Sequence, residues 1–473
     1  MRSHFVLGNR VPTARLAFAI IALTIVSSVA AQGQRSGDTV RVKLDDLARS
    51  SLRHDSRLAA ASADVETALS FITSARSPMD PSFSIVGDRS AVGGQLSGFL
   101  PTGGLYLLGS PSTSASAASK HALAASFSQP LLRGVGYGSL SAATQSAREG
   151  TAAARSRLTA FQDAVVTEVA IAYRVLTAQQ RQEAIAARSL ARAQELLAAY
   201  SELRTLGKIT EVELNTARLA VASRRATMLA ERRDRQNAQD ALIFLAYGDV
   251  AAAALVGDDV TLAPTDTVLG LTDLPTLDTA TARALRLRPD VAASRSVVTQ
   301  LEQQRRYVRN SGLPTLDLST AFTSSLVDSA KRVLSGSARQ TDWTVGLVFS
   351  RPILNSASGA DAQRIAASEL RARYRLIDAE NNARAEIRAA FRDIGLGRER
   401  MALATEAAGL ARDAYAGERA RLDLGLTDIF RVLQYEDQVA QVERAEAGAW
   451  LALATATDRY RGAIGGAAER YAR

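Results

Sequence analysis

The sequence predicts a mainly helical chain with a β-barrel contribution, built from one helix–strand–strand–long helix–long helix unit used twice. Three observations predict it. First, "FSQPLLRG" (127–134) recurs as "FSRPILNS" (349–356). Second, the eleven prolines sit at 12, 78, 81, 101, 111, 130, 264, 275, 289, 314 and 352, leaving 131–263 and 353–473 free of them. Third, segments of alternating polarity stand just before each proline-free region.

The chain starts with a segment that is not part of the folded body. Arg2, Arg10 and Arg15 precede the apolar run "LAFAIIALTIVSSVA" (16–30), and Val29-Ala30-Ala31 offers small residues for cleavage. This is a secretory signal peptide over 1–31. The alternative is an uncleaved membrane anchor, for which the apolar core is short. Among 473 residues there is no cysteine, which excludes a disulfide framework, a thiol nucleophile, a thiolate metal site and a lipidated N-terminus. Removing 1–31 takes away three arginines and no acids, so the net charge falls from +9 to +6. The arginines interleave with acids along helices, which is not a nucleic-acid signature. Past the signal, no apolar run approaches the length of a membrane-spanning helix. Any membrane crossing must therefore be a closed β-barrel.

The two halves keep their elements in the same order. "LDDLARSSLRHDSRLAAA" (44–61) aligns with "LDTATARALRLRPDVAAS" (277–294) at an offset of 233. The same offset carries "DPSFSI" (80–85) onto "LPTLDL" (313–318), and at the "FSxP" segments it has fallen to 222. An insertion of about eleven residues therefore precedes that point in the first half. It falls in 93–120, whose Gly, Ser and Pro content reads as an extended turn or loop. The first repeat spans 32–276, with strands about 80–130 and long helices about 135–247. The second spans 277–473, with strands about 314–351 and long helices about 355–463.

Each strand segment has period two. Leu316, Leu318, Phe322 and Leu326 alternate with Asp317, Ser319, Thr323 and Ser325. Trp343, Val345, Leu347 and Phe349 alternate with Thr344, Gly346 and Ser350. Leu123, Ala125 and Phe127 do the same more weakly. One apolar and one polar face fits a half-buried sheet in water and a transmembrane barrel strand equally well. Pro130 and Pro352 end the second strand of each pair, because proline cannot donate to a ladder. Proline is tolerated in a first helical turn, so each "FSxP" reads as a strand-to-helix joint. The exchange of Gln129 for Arg351 between the joints has no account in the sequence.

The helices that follow run to Gly207 and Gly425, a length of roughly 90–105 Å at 1.5 Å per residue. Val165, Val169, Ala172 and Leu176 have 4–3 spacing, as do Ile387, Phe391 and Ile394, which is coiled-coil spacing. A plain two-stranded coiled coil would leave the duplicated strands unexplained. Gly207 and Gly425 are the expected helix ends, since glycine takes positive φ without a Cβ clash. Thr210 and Asp428, three residues later, can cap the returning helices. Each helix pair is therefore an antiparallel hairpin with its tip at a glycine. Four strands cannot close an open barrel alone, so several chains must share one, and three would give about twelve strands.

With these residues in view the chain resembles the TolC-like outer-membrane efflux protein family. The resemblance rests on the signal peptide, on "SFSQPLL" and "VFSRPIL", and on "LGKITEVELNTAR" and "LGLTDIFRVLQ", and it covers about 40–470. It implies a homotrimer with a 12-stranded barrel in outer-membrane lipid and a 12-helix periplasmic coiled-coil tunnel. It also implies an exit duct for efflux or type I secretion in the Gram-negative outer membrane. The partners implied are a periplasmic adaptor (membrane fusion protein) and an inner-membrane pump of RND, ABC or MFS type, with no cofactor.

Gly207, Thr210, Gly425, Thr427 and Asp428 become the hairpin tips and adaptor-docking points. The family closes its periplasmic end with helix tips, where acids can ring the pore. Its second-half pattern places acids six and nine residues after the tip glycine, where this chain has Arg431 and Gln434. The first half has Glu213 at the sixth position and Asn215 nearby. Glu211, Glu213, Arg431 and Gln434 are the candidate gate, a mixed-charge one tied by Glu213–Arg431 or Asp428–Arg pairs. The rival readings are an exported helical coiled-coil structural or adhesin-type protein, and an enzyme. The only histidines after the signal, His54 and His121, sit in no catalytic motif.

Overall fold

The computed structural model describes residues 39–87, 92–100, 102–110, 119–134, 138–248, 261–266, 274–328, 337–351, 353 and 356–471. The signal segment 1–31 and Pro352 lie outside the described residues. In the first half the order is β1 (Thr39–Val42), α1 (Leu44–His54), α2 (Ser56–Arg76), β2 (Ser82–Gly87), β3 (Val92–Phe99), β4 (Leu105–Gly109), β5 (Ser119–Pro130), α3 (Gly138–Thr205) and α4 (Glu211–Tyr247). In the second it is β6 (Thr261–Pro264), α5 (Leu277–Leu287), α6 (Pro289–Ser311), β7 (Thr315–Asp328), β8 (Ser337–Ser350), α7 (Ser356–Asp423) and α8 (Ile429–Ile464).

The duplication extends to the helix breaks. The helix predicted from residue 44 divides at Asp55, whose carboxylate caps α2 by accepting from the Arg57 amide at 2.7 Å. Its counterpart divides at Arg288, with Pro289 at the first position of α6. Proline belongs there because its missing N–H has no helical partner in the first turn. Helices α3 and α7 are each 68 residues, about 100 Å. Val165, Val169, Leu176, Ile387 and Ile394 are buried along them, so the 4–3 spacing does mark the packed seam. Phe391 is partly buried, edge-on to Tyr460 at 5.4 Å.

Two sequence expectations need correction. The first half carries four strands rather than two: the sheet runs β2-β3-β4-β5-β7-β8, every neighbour antiparallel. Most of β3 and all of β4 fall in the segment 93–120 that reads as turn or loop. Glycines disguise these strands, because aromatic rings stand where Cβ atoms would be. A Cβ on Gly98 would lie 2.6 Å from the Tyr106 hydroxyl across the ladder, and one on Gly94 3.3 Å from the Phe83 ring. Such glycines belong to the strand and make room for the cross-strand ring. The second correction concerns Pro130. It ends β5, paired with Asp317, but α3 begins only at Gly138, so this proline does not open the helix.

A parallel pair, β1 with β6, has no counterpart in the sequence expectations. Each strand is four residues long, too short to show a period. Tyr173, fully buried on α3, holds the pair: its hydroxyl donates to the Val42 carbonyl at 3.1 Å and accepts from the Asp266 amide at 3.1 Å. Around it Leu44, Leu47, Leu176, Leu242, Ile243 and Leu262 form one core. A second core joins α5, α7 and α8 through Ala284, Ile387, Ile394 and Tyr460.

The long helices form a row. Helix α4 packs on α3, α3 on α8, and α8 on α7; nearer the sheet, α2 packs on α3, α3 on α6, and α6 on α7. The row therefore has four helices at either level. A buried ion pair fixes its register: Arg174 Nε donates to Asp458 Oδ2 at 3.0 Å, and each side chain is only 5% exposed. Removing one partner of such a pair strands a charge in the interior. Asp458→Ala is expected to destabilise the protein by about 3–5 kcal/mol, read as a lowered thermal midpoint. Tyr173→Phe, losing one bridging hydroxyl, is expected to cost about 1–3 kcal/mol.

Candidate functional site

Two parts of the chain carry functional geometry, the sheet and the helix tips. Rows of directly opposed residues define the faces of the sheet. Phe83, Leu96, Leu108, Ala125, Phe322 and Trp343 form one unbroken row across all six strands. Gly98, Tyr106, Phe127, Thr320 and Val345 form the next row on that face. The opposite face carries Ser82, Ser97, Leu107, Ser126, Ala321 and Thr344, then Ser84, Gln95, Gly109, Ala124, Thr323 and Asp342. Phe83, Ile85, Leu123, Trp343, Val345, Leu347 and Phe349 are exposed on the apolar side. An exposed aromatic and aliphatic face backed by a Ser/Thr face suits lipid on one side and water on the other. Among the described residues no helix is long and apolar enough to cross a membrane.

The joint below the sheet explains Gln129. Its carboxamide oxygen accepts from the Thr102 hydroxyl at 3.0 Å, and its nitrogen donates to the Thr102 carbonyl at 3.0 Å. It ties the end of β5 to the turn that precedes β4. Among the described residues the second half has no corresponding hairpin to tie, so Arg351 at that position loses nothing. Beyond Pro130 the Leu131 amide donates to Leu316 O at 2.6 Å and the Gly134 amide to Asn310 Oδ1 at 2.8 Å, anchoring the chain before α3.

Both helix tips fold the same way. Gly207 and Gly425 have φ of 69° and 72°. At the first tip the Lys208 amide donates to Leu203 O at 3.0 Å and Gly207 to Arg204 O at 3.0 Å; at the second, Leu426 donates to Arg421 O at 2.9 Å and Gly425 to Leu422 O at 2.9 Å. These paired bonds close the last carbonyls of α3 and α7 and need a left-handed residue between them. The returning helices are capped differently. Thr210 Oγ1 accepts from the Glu213 amide at 3.2 Å while Glu213 Oε2 accepts from the Thr210 amide at 2.7 Å, a reciprocal capping box. Asp428 Oδ1 accepts from the Arg431 amide at 2.9 Å.

The tips pack together through buried Leu196, Tyr200, Leu214, Ala217 and Ile429. Burial pushes the Tyr200 phenol up to about 12, helped by the Glu213 and Asp428 carboxylates. Glu418 precedes Gly425 by the same interval as Tyr200 precedes Gly207. It is buried and accepts from the Thr427 hydroxyl at 2.5 Å. Thr427 thus braces the tip internally.

The expected Glu213–Arg431 and Asp428–Arg pairs do not form among the described residues of one chain. Both carboxylates are committed to caps, Glu211 pairs with Arg204 at 3.1 Å, and Arg431 forms no ion pair among the described residues. Nor does Gln434 form a side-chain hydrogen bond among them.

The strongest polar cluster is not legible in the sequence. Buried Glu436 on α8 accepts from Ser189 at 2.6 Å, Arg192 at 3.1 Å and Arg224 at 2.6 Å, joining α3, α4 and α8. Its partners lie more than 200 positions away, which no local spacing encodes. His54 Nδ1 lies 3.0 Å from the Ser50 carbonyl at the end of α1, and His121 sits in β5. Among the described residues no group of three or more His, Asp or Glu gathers in a metal-binding arrangement.

An amphipathic sheet joined to helical hairpins about 100 Å long defines a class, the channel subunit whose membrane part continues into a long helical wall. The family follows from the sequence itself. The profile of the outer membrane efflux protein family matches residues 47–246 and 281–466, and the chain belongs to that family. It is homologous to outer-membrane efflux channels, which are transport conduits and not enzymes. No curated protein matches the chain.

Solved structures share the fold. The CmeC outer membrane channel of Campylobacter jejuni is 18% identical with a TM-score of 0.67, covering 90% of this chain and 86% of its own. VceC of Vibrio cholerae is 18% identical at 0.67, covering 89% and 96%. The open-state MtrE channel of Neisseria gonorrhoeae is 16% identical at 0.62, covering 92% and 94%.

At the tips the energetics are local. Gly207→Ala and Gly425→Ala are each expected to cost about 1–2 kcal/mol, the penalty of a Cβ in the left-handed region, read by thermal unfolding. Hydrogen bonds from Thr210 hold the Glu213 carboxyl below its ordinary value. A depressed folded pKa means the cap stabilises fully above the unfolded pKa of about 4.5 and weakens as pH falls from there through the folded pKa. Protection from hydrogen exchange in the first turn of α4 should therefore fall below about pH 4.5, and Glu213→Gln, which cannot titrate there, should remove that dependence.

Proposed function

We propose that this chain is the exit duct of a tripartite efflux or type I secretion system, working as a homotrimer. The observation that carries the trimer is that both layers end open on matching sides. The sheet ends in β2 of the first half and β8 of the second, and the helical row ends in α4 of the first half and α7 of the second. An open sheet edge is not tolerated in lipid, so β8 of one copy pairs with β2 of the next and α7 packs on the next α4. Three copies give twelve helices at each level of a periplasmic tunnel.

The strand count of the barrel changes with the extra hairpin. Six strands per chain give eighteen strand segments in a trimer in place of twelve. Only β5, β7 and β8, with 12, 14 and 14 residues, reach the roughly nine to eleven residues of a tilted membrane strand.

The repeats 32–276 and 277–473 are the two structural units, preceded by the cleaved signal 1–31. Gly207, Thr210, Gly425, Thr427 and Asp428 present the tips to a periplasmic adaptor, and an inner-membrane pump of RND, ABC or MFS type loads the duct. Glu211, Glu213, Arg431 and Gln434 line its entrance. Since Arg431 forms no ion pair among the described residues of its own chain, its charge is available to the pore or to a neighbouring tip. Planar-bilayer recordings of the purified channel check this: Arg431→Ala should change single-channel conductance and shift ion preference toward cations. Unchanged conductance and preference would remove Arg431 from the gate.

A further inference from the structure

The outer helices of the row carry matching stripes. On α7, Leu396, Leu403 and Leu410 recur once per heptad and are exposed, and Glu399, Glu406 and Asp413 follow each by three positions, also exposed. On α4, Val212, Leu219 and Ala226 recur at the same interval and are exposed, with Arg218, Arg225 and Arg232 on the same heptad beside them. Arg218 reaches Glu211 at 3.5 Å; the other five charges form no ion pair within the chain among the described residues. A heptad repeat of exposed leucines is a seam without its partner helix.

The two stripes agree in height. Asp413 is one position farther from Gly425 than Arg218 is from Gly207, and the same difference of one relates Glu406 to Arg225 and Glu399 to Arg232. The two hairpins are themselves level, since Arg174 meets Asp458, and Arg174 lies as far before Gly207 as Asp458 lies after Gly425. The sides agree as well. Helix α7 runs toward its tip and α4 away from it. In an antiparallel pair, residues displaced in the same rotational sense from the seam fall on the same side of it. At about 100° per residue the acids lie roughly −60° from their leucines, and Arg218 and Arg225 lie roughly −100° from the Leu219 and Ala226 they precede, with Arg232 continuing their heptad.

Resting on the trimer proposed above, we infer that the neighbouring copy's α4 covers the leucine stripe of α7, with a charge ladder of Asp413 to Arg218, Glu406 to Arg225 and Glu399 to Arg232 across every subunit seam. The leucines supply the burial, and the ladder sets register. A slip of one heptad would leave a charge unpaired at each end, and parallel docking would invert the order of heights.

The test uses the full-length protein extracted from membranes in mild detergent. The monomer fraction is followed by light scattering while temperature and NaCl are raised. Two triple variants reverse one side each: Glu399→Arg/Glu406→Arg/Asp413→Arg and Arg218→Glu/Arg225→Glu/Arg232→Glu. Each should raise the monomer fraction about tenfold or more at low salt, because three like-charge contacts appear in each seam. The six-residue combination, which swaps the ladder, should restore wild-type assembly. Wild-type assembly in either triple variant, or failure of the combination to restore it, overturns the ladder and leaves the trimer standing. A wild-type protein that is monomeric throughout overturns the trimer instead. All six positions are exposed, so loss of the protomer fold, checked by circular dichroism, is not expected in any variant.

Discussion

Every backbone N–H and C=O inside a membrane must find a partner, and this constraint governs the rest of the molecule. The sheet has an apolar face fit for lipid, yet it ends in two unpaired edges, β2 and β8. It cannot satisfy them by itself, because its six strands do not curl into a closed barrel. The demand for closure passes from the sheet into the helices, since in each half of the chain the last strand is followed by a long helix. A helical row that grows out of an unclosed sheet inherits its open ends. The exposed apolar residues along α4 and α7 are the consequence, and the interior helices α3 and α8 carry their buried counterparts.

What fixes the register of the two halves in one wall is buried charge, while apolar residues such as Leu196, Tyr200, Leu214 and Ile429 supply the burial. Arg174–Asp458 joins α3 to α8 near the middle, and Glu436 gathers Ser189, Arg192 and Arg224 closer to the tips. Alanine-rich seams allow close approach of the helices but say little about register, because one small residue resembles another. Buried charge pairs do specify register: a shift by one turn would strand them. The C-terminal segment is held by a buried carboxyl that takes backbone donors instead, with Asp163 accepting from the Gly466 amide at 2.9 Å and the Ala468 amide at 2.7 Å. Burial pushes this carboxyl above its ordinary range.

Much of this architecture is legible in the sequence because it is local or repeated. The two 68-residue helices announce themselves by the absence of proline, and the tips by a glycine followed three residues later by a capping residue. Strands β7 and β8 alternate cleanly, and the span 314–351 expected for them brackets both. The hairpin of β3 and β4 is hidden because its glycines sit beneath Phe83 and Tyr106, where the missing side chain is the structural feature. The parallel pair of β1 and β6 and the Glu436 cluster depend on partners more than 200 positions apart, which no window of sequence contains. At the tips the sequence shows which charges are present but not what they bind. Glu213 and Asp428 turn inward to cap their own helices, a demand the helix makes before any neighbour can.

We propose that this chain closes its wall only with copies of itself in the outer membrane. Native mass spectrometry of the protein released from purified outer-membrane fractions tests it most directly. A single species with the mass of three processed chains is expected. A one-chain species recovered from the soluble periplasmic fraction would contradict it.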